Sequence, residues 1–242
     1  MDAAAVIYPD LDLETIELCA SKLLESYCEQ TDWSGELPVP VEIIAEHYLG
    51  YDIEIVDDGL FGDPDYLGGI LFDRNLIQVS AAVELHEGRY NFTLAHEIGH
   101  HVLHRELYLA ARAGEPCNIL CRANGEKSLI ETQADSFAAA LLMPSDAVHR
   151  TLEVTVLAPV NTFRGLRAMA AKVIQSGGFT NVSNTAMVSR LITLGYASAD
   201  LYPPSRSGLF GSRFGYRIRR WLPPAVRGML SRLYVRFYRQ NS

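Results

Sequence analysis

Four of the chain's seven histidines fall within nine positions of "TLAHEIGHHVLH", residues 93–104, and a glutamate directly follows the first of them. On a helix advancing about 100° per residue, His96 and His100 lie about 40° apart on one face, so both imidazoles can reach a single cation. Glu97 stands at the edge of that face. This is the H-E-x-x-H arrangement, in which two histidines bind zinc and the glutamate takes a proton from the water that the metal activates. The bland alternative is a pair of histidines on a half-buried helix. A third ligand from elsewhere in the chain would decide between them.

"ETQADSFAAALLMP", residues 131–144, offers one. It reads as a helix with an acid in its first turn, Glu131, and a second acid, Asp135, four positions later on the same face. Two imidazoles and one carboxylate leave a coordination position open for water, as in thermolysin-like enzymes. Glu131 is therefore the candidate third ligand, against the alternative of a solvated carboxylate stabilised by the helix dipole. Asp135 is the candidate acceptor for the outer nitrogen of a ligand imidazole, a contact that fixes the tautomer and raises basicity; its alternative is simple pairing with a nearby base. Ala134, Ala138, Ala139 and Ala140 are small enough to let this helix approach the histidine helix closely. His101 projects about 100° away from His100, and His104 falls on the ligand face one turn later as a shell or surface residue; neither is assigned a role. Tyr90, Tyr108 and His149 are candidates to stabilise an oxyanion, each with a structural alternative.

Together the two segments resemble the signature helices of the ImmA/IrrE family of metallo-endopeptidases, which are gluzincin-like zinc peptidases. The resemblance extends to "GGILFDRNLIQVS" and "VPVEIIAEHYLGYDIEIV", and more weakly to "VSNTAMVSRLITLGYAS", so it spans about residues 36–198. It implies His96, His100 and Glu131 as metal ligands and Glu97 as the catalytic glutamate. It also implies a protein substrate, a DNA-binding transcriptional repressor whose cleavage switches on genes of a mobile element or a stress response. Zinc is the implied metal, with manganese as the alternative. The competing reading is a regulatory module that binds a repressor or DNA and holds a structural metal. Against it, structural sites are usually closed by four protein ligands, and they have no need of Glu97.

The elements that must position these residues follow from periodicity and breakers. Ile16, Leu18, Ala20, Leu23, Leu24 and Tyr27 recur at helical spacing and predict a helix from Leu13 to about Gln30. A short helix through Ile43, Ile44 and Tyr48 should end at Gly50, before a strand around Ile53 to Val56. "GGILFDRNLIQVS" predicts a hairpin turning at Asp73-Arg74-Asn75, and one of its strands is a candidate edge for pairing with an extended substrate. Helices are expected over about 90–105, over Ser128 to Met143 with a stop at Pro144, around Phe163 to Gln175 and around Asn184 to Leu194. The last two, separated by "SGGFTNVS", resemble a helix-turn-helix. A DNA reader needs base-reaching polar groups and cations, yet Asn184, Thr185, Ser189 and Arg190 bring one positive charge, so packing or partner recognition is favoured. The expected fold is α+β: a small, mostly antiparallel sheet packed on a helical bundle that carries the metal site. The expected organisation is a metallopeptidase domain over 1–150, a helical region over 151–199 and a tail over 200–242.

Charge divides the chain. Residues 1–199 carry 12 Lys+Arg and 28 Asp+Glu, while residues 200–242 carry nine arginines and one aspartate. An acidic body is a poor unaided binder of nucleic acid. The tail reads as an amphipathic basic helix, with Val226, Met229, Leu230, Leu233 and Phe237 on one stripe. Its candidate partners are the acidic body, an anionic membrane and nucleic acid. Four cysteines do not make a disulfide framework in a chain of this length, and the N-terminus lacks the pattern of a secretory signal, so a cytoplasmic setting is expected. Cys117 and Cys121 are read as ordinary thiols, with a second metal or a redox switch as the alternative.

Overall fold

The computed structural model describes residues 8–57, 67–111, 119–121, 128–155 and 160–201. The readings of the basic tail and of Cys117 lie outside these residues, and so does the side chain of Cys121.

Helix α1 (Leu13–Gln30) begins where Asp12 accepts a hydrogen bond from the Thr15 amide, satisfying one of the donors that a helix start leaves open. Its buried face is Ile16, Ala20 and Tyr27, whereas Leu18, read as part of the stripe, is 53% exposed. A turn of helix, α2 (Val41–Ile43), runs into a wider π-helical turn over Ile44–Tyr48. The chain then reverses at Gly50, whose φ of 75° a side chain would strain.

Four strands form one mixed sheet in the order β1-β3-β2-β4: β1 (Asp52–Val56), β2 (Gly68–Leu71), β3 (Leu76–Ser80) and β4 (Ile119–Cys121). The expected hairpin is β2–β3, antiparallel with Leu71 opposite Leu76, and Asn75 takes the left-handed conformation of its turn at φ 48°. β2–β4 is also antiparallel, and β1 runs parallel to β3. The sheet is thus mostly antiparallel, as expected. The substrate-edge expectation fails, because β3 lies between β1 and β2, and β2 lies between β3 and β4; the edges are β1 and β4.

The helical layer opens with α3 (Ala81–Glu84) and the long α4 (Glu87–Ala111). α4 outruns the expected 90–105 because its last turns still have a surface to cover: Tyr108 is buried against Phe72, in the hairpin turn. α5 (Leu129–Leu142) is capped by Ser128 and is buried over nearly its whole circumference, from Glu131 to Leu142. Pro144 stops it, and α6 (Ser145–Val154) starts at once. The sequence reading missed α6 by taking Pro144 only as a stop, although proline at a helix start loses no hydrogen bond. α7 (Phe163–Gly177), capped by Thr162, and α8 (Asn184–Thr193), capped by Ser183, complete the α+β fold. One apolar core joins Ile16 of α1, Ile70 and Ile77 of the sheet, Leu94 and Ile98 of α4, Phe137 and Leu141 of α5, and Leu166 and Leu191 of the last two helices.

Candidate metal centre

α4 and α5 pack close because one offers a glycine and the other an alanine at their crossing. A Cβ built at Gly99 would stand 3.2 Å from the Cα and carbonyl oxygen of Ala134. This approach carries Glu131, in the first turn of α5, to the two histidines one turn apart on α4. Nε2 of His96 lies 3.2 Å from one Glu131 oxygen, Nε2 of His100 lies 3.2 Å from the other, and the two Nε2 atoms are 3.0 Å apart. All three side chains are buried, and their ligand atoms lie within 4.8 Å of one another.

The outer nitrogens decide what these inner atoms can be. Nδ1 of His96 is 3.0 Å from Oδ1 of Asp135, a carboxylate that can only accept, so the proton sits on Nδ1. Nδ1 of His100 is 3.1 Å from Nδ1 of His104. With both rings donating outward, two bare nitrogens and a carboxylate face one another in a buried space. Neither Glu131 oxygen has a hydrogen-bond donor among the described residues. Such a cluster of lone pairs is stable only around positive charge. Although burial opposes it, the facing carboxylates of Asp135 and Glu131 push the His96 imidazolium up to about 10. Against its own burial, Glu131 is held down to about 2 by His100 and His96. Two neutral nitrogens and one carboxylate oxygen are a donor set that a divalent zinc ion fits.

Glu97 follows His96 on α4 and is 1% exposed. Its carboxylate lies under β2, where Gly68 has no side chain to displace it. The structure therefore brings His96, His100, Glu131, Asp135 and Glu97 to one place. Two further residues belong to it that the sequence reading did not assign. His104 is 1% exposed, and its Nε2 lies 3.0 Å from Oε1 of Gln133, itself buried on α5. Their signals were present, as a further four-residue step along α4 and as the position midway between the two acids of α5.

The remaining candidates are engaged elsewhere. His101 Nδ1 meets the Tyr51 hydroxyl at 2.8 Å, and burial together with Arg105 lowers its pKa to about 4. His149 contacts the Tyr196 hydroxyl at 2.6 Å and Glu153 at 3.2 Å. Tyr90 sits among acids; burial first, then Glu42, raises its hydroxyl to about 12. Tyr108 packs on Phe72. Arg190, the cation of the helix-turn-helix-like region, is 1% exposed, with its guanidinium turned inward onto Glu17 and the Met143 carbonyl. It is not available to a phosphate.

Residues 52–156 match the family model of the IrrE N-terminal-like domain, Peptidase_M78. Over this stretch the chain is similar to metallopeptidases of the ImmA/IrrE family. No curated protein matches the chain. The matched stretch begins at β1 and ends just past α6, so it contains every residue of the His-His-Glu cluster together with Glu97, His104, Gln133 and Asp135. α1, α7 and α8 lie outside the match but share its core. No helix among the described residues is long and apolar enough to cross a membrane.

Proposed function

We propose that the chain is a zinc-dependent endopeptidase in which His96, His100 and Glu131 hold the metal, Glu97 is the catalytic carboxylate, and the metallopeptidase unit occupies residues 1–150. The observation that carries this reading is the convergence of two Nδ1-protonated imidazoles and one carboxylate, with a second carboxylate, Glu97, directly after His96 on α4. Three ligands leave a place for water, and when bound the metal supplies a Lewis acid that activates that water and polarises a peptide carbonyl. Asp135 holds the His96 ring in the tautomer and orientation that keep Nε2 bare. Glu97 accepts a proton on its carboxylate during attack and returns it to the amine nitrogen of the severed bond. Its position in a buried pocket beneath Gly68 keeps that carboxylate in one orientation and away from bulk water.

A DNA-binding repressor as the substrate, a mobile-element or stress-response setting and a cytoplasmic location rest on the family resemblance. A role as a direct DNA reader is disfavoured by the inward-facing Arg190. The test combines metal analysis with proteome comparison. Glu97→Gln should keep one equivalent of metal and cut hydrolysis by roughly 10²–10⁴-fold, while Glu131→Ala should lose metal. Proteins that accumulate only in cells carrying Glu97→Gln are the substrates. Cleavage that survives undiminished in Glu97→Gln would overturn the mechanism, and a wild-type chain devoid of divalent metal would overturn the site.

A further inference from the structure

We propose that His104 and Gln133 are positioning residues of the metal centre: a neutral hydrogen-bond chain through them commits His100 to its Nδ1–H tautomer and leaves its Nε2 free for the cation. The proposal rests on the reading of His96, His100 and Glu131 as a metal site.

The chain of reasoning starts at a group that can only accept. The carbonyl oxygen of Pro9 receives a hydrogen bond from Nε2 of Gln133 at 2.8 Å, which fixes the orientation of that amide. Oε1 of Gln133 then faces Nε2 of His104 at 3.0 Å and must accept, so His104 carries its proton on Nε2. A buried neutral imidazole protonated there is bare at Nδ1. That bare atom lies 3.1 Å from Nδ1 of His100, which must therefore be the donor. Three groups thus settle the tautomer of His100, and Tyr8, edge-on to the His104 ring at 5.5 Å, packs beside the relay.

The two ligand histidines are held by different means. His96 is oriented by a carboxylate, His100 by a relay that adds no charge. Glu97, Glu131 and Asp135 already place three carboxylates around the proposed dication. A fourth would offset more of the dication's charge and weaken it as a Lewis acid. A neutral relay orients the second ring without that cost.

The test measures zinc dissociation constants, by competition with a chromophoric chelator, for the full chain and for His104→Leu, His104→Asn and Gln133→Leu. The visible absorption of the cobalt(II)-loaded proteins and the unfolding midpoints of the metal-free proteins are recorded in parallel. His104→Leu and Gln133→Leu should weaken zinc binding by about 10–100-fold and alter the cobalt bands. The metal-free midpoint of His104→Leu should not fall, because an apolar side chain replaces a buried polar one. His104→Asn should stay near wild type, since its Oδ1 can accept from His100 where Nδ1 did. Wild-type zinc affinity in His104→Leu and Gln133→Leu, or an Asn variant as weak as His104→Leu, overturns the proposal. Should His104→Leu fail to fold, Gln133→Leu and His104→Asn carry the comparison. A wild-type chain that binds no zinc overturns the metal-centre reading itself, and the proposal with it.

Discussion

Gly68 on β2 stands over Glu97 on α4: a Cβ built on the glycine would lie 2.7 Å from the carboxylate Oε1 and 2.5 Å from Cγ2 of Thr93. Glu97 is 1% exposed, so it has little room to swing elsewhere. The sheet and the helix thus meet at a place where a missing side chain makes space for the acid.

Gly68→Ala should therefore displace Glu97 while leaving the proposed metal ligands, which belong to α4 and α5, in place. A misplacement of about 1 Å at a reacting group can cost on the order of 10²-fold in rate. The expected outcome is a large fall in kcat at unchanged zinc content, measured by peptide cleavage and metal analysis of the same preparation. Wild-type turnover in this variant would mean that the carboxylate has no fixed place in the reaction.

Gly99 makes the analogous contact between helices. Its missing Cβ lets α4 lie against Ala134 of α5, and Phe137 Cδ1 would also stand 3.2 Å from it. Gly99→Val should push the helices apart and cost about 1–3 kcal/mol by overpacking. The same separation carries Glu131 away from His96 and His100, so zinc affinity should fall with stability. Urea unfolding of the metal-free protein and chelator competition measure the two effects separately.

Much of this site was readable before any coordinates, because its signals are local. His96 and His100 share a helix face through their spacing alone, and the Asp135 contact follows from its four-residue offset from Glu131. α1 was legible to its boundaries from the stripe alone, and the Asp12 cap that starts it came with the structure. What spacing cannot give is depth. Leu18 and Ile16 have similar claims to the stripe, yet one is exposed and the other buried. His104 is placed by the same rule as His100, but only burial and the Gln133 contact show that it faces inward. α6 was lost for a related reason: its sequence "SDAVHRTLEV" buries only Ala147, Val148 and Thr151, too few apolar positions to announce a helix. Pairing order was equally illegible, since β4 inserts a partner for β2 from about fifty residues away.

Arg190 and Glu17 tie the last helix to the first. The guanidinium donates through Nη2 to Glu17 Oε2 at 2.9 Å and through Nε to the Met143 carbonyl at 2.8 Å, and Nη1 pairs with Glu17 Oε1. Arg190 is fully enclosed while Glu17 is partly exposed, so the costly half to orphan is the arginine. Glu17→Ala should destabilise by about 3 kcal/mol, the scale for leaving a buried charge unpaired. Arg190→Met should cost less, because the carboxylate left behind can reach water. Urea midpoints at constant m-value decide the order, and equal losses would show that packing, not charge, dominates at this joint.

Zinc itself should stabilise the fold, and the size of the effect ranks the roles assigned to the site. A ligand that binds only the folded chain adds RT ln(1 + [L]/Kd), about 2.7 kcal/mol at a hundred times Kd. The full increment is expected for wild type and for Glu97→Gln, since the proposed ligand set of His96, His100 and Glu131 does not include Glu97. Asp135→Ala keeps all three ligands but frees the His96 ring. A tenfold weaker site at the same zinc concentration should then give back about 1.4 kcal/mol of that increment. Glu131→Ala removes a ligand and should show almost none of it. Thermal unfolding with and without added zinc measures each increment against its own metal-free reference, so a variant's intrinsic change in stability cancels. Equal increments in Asp135→Ala and wild type would show that the His96–Asp135 hydrogen bond does not contribute to holding the metal.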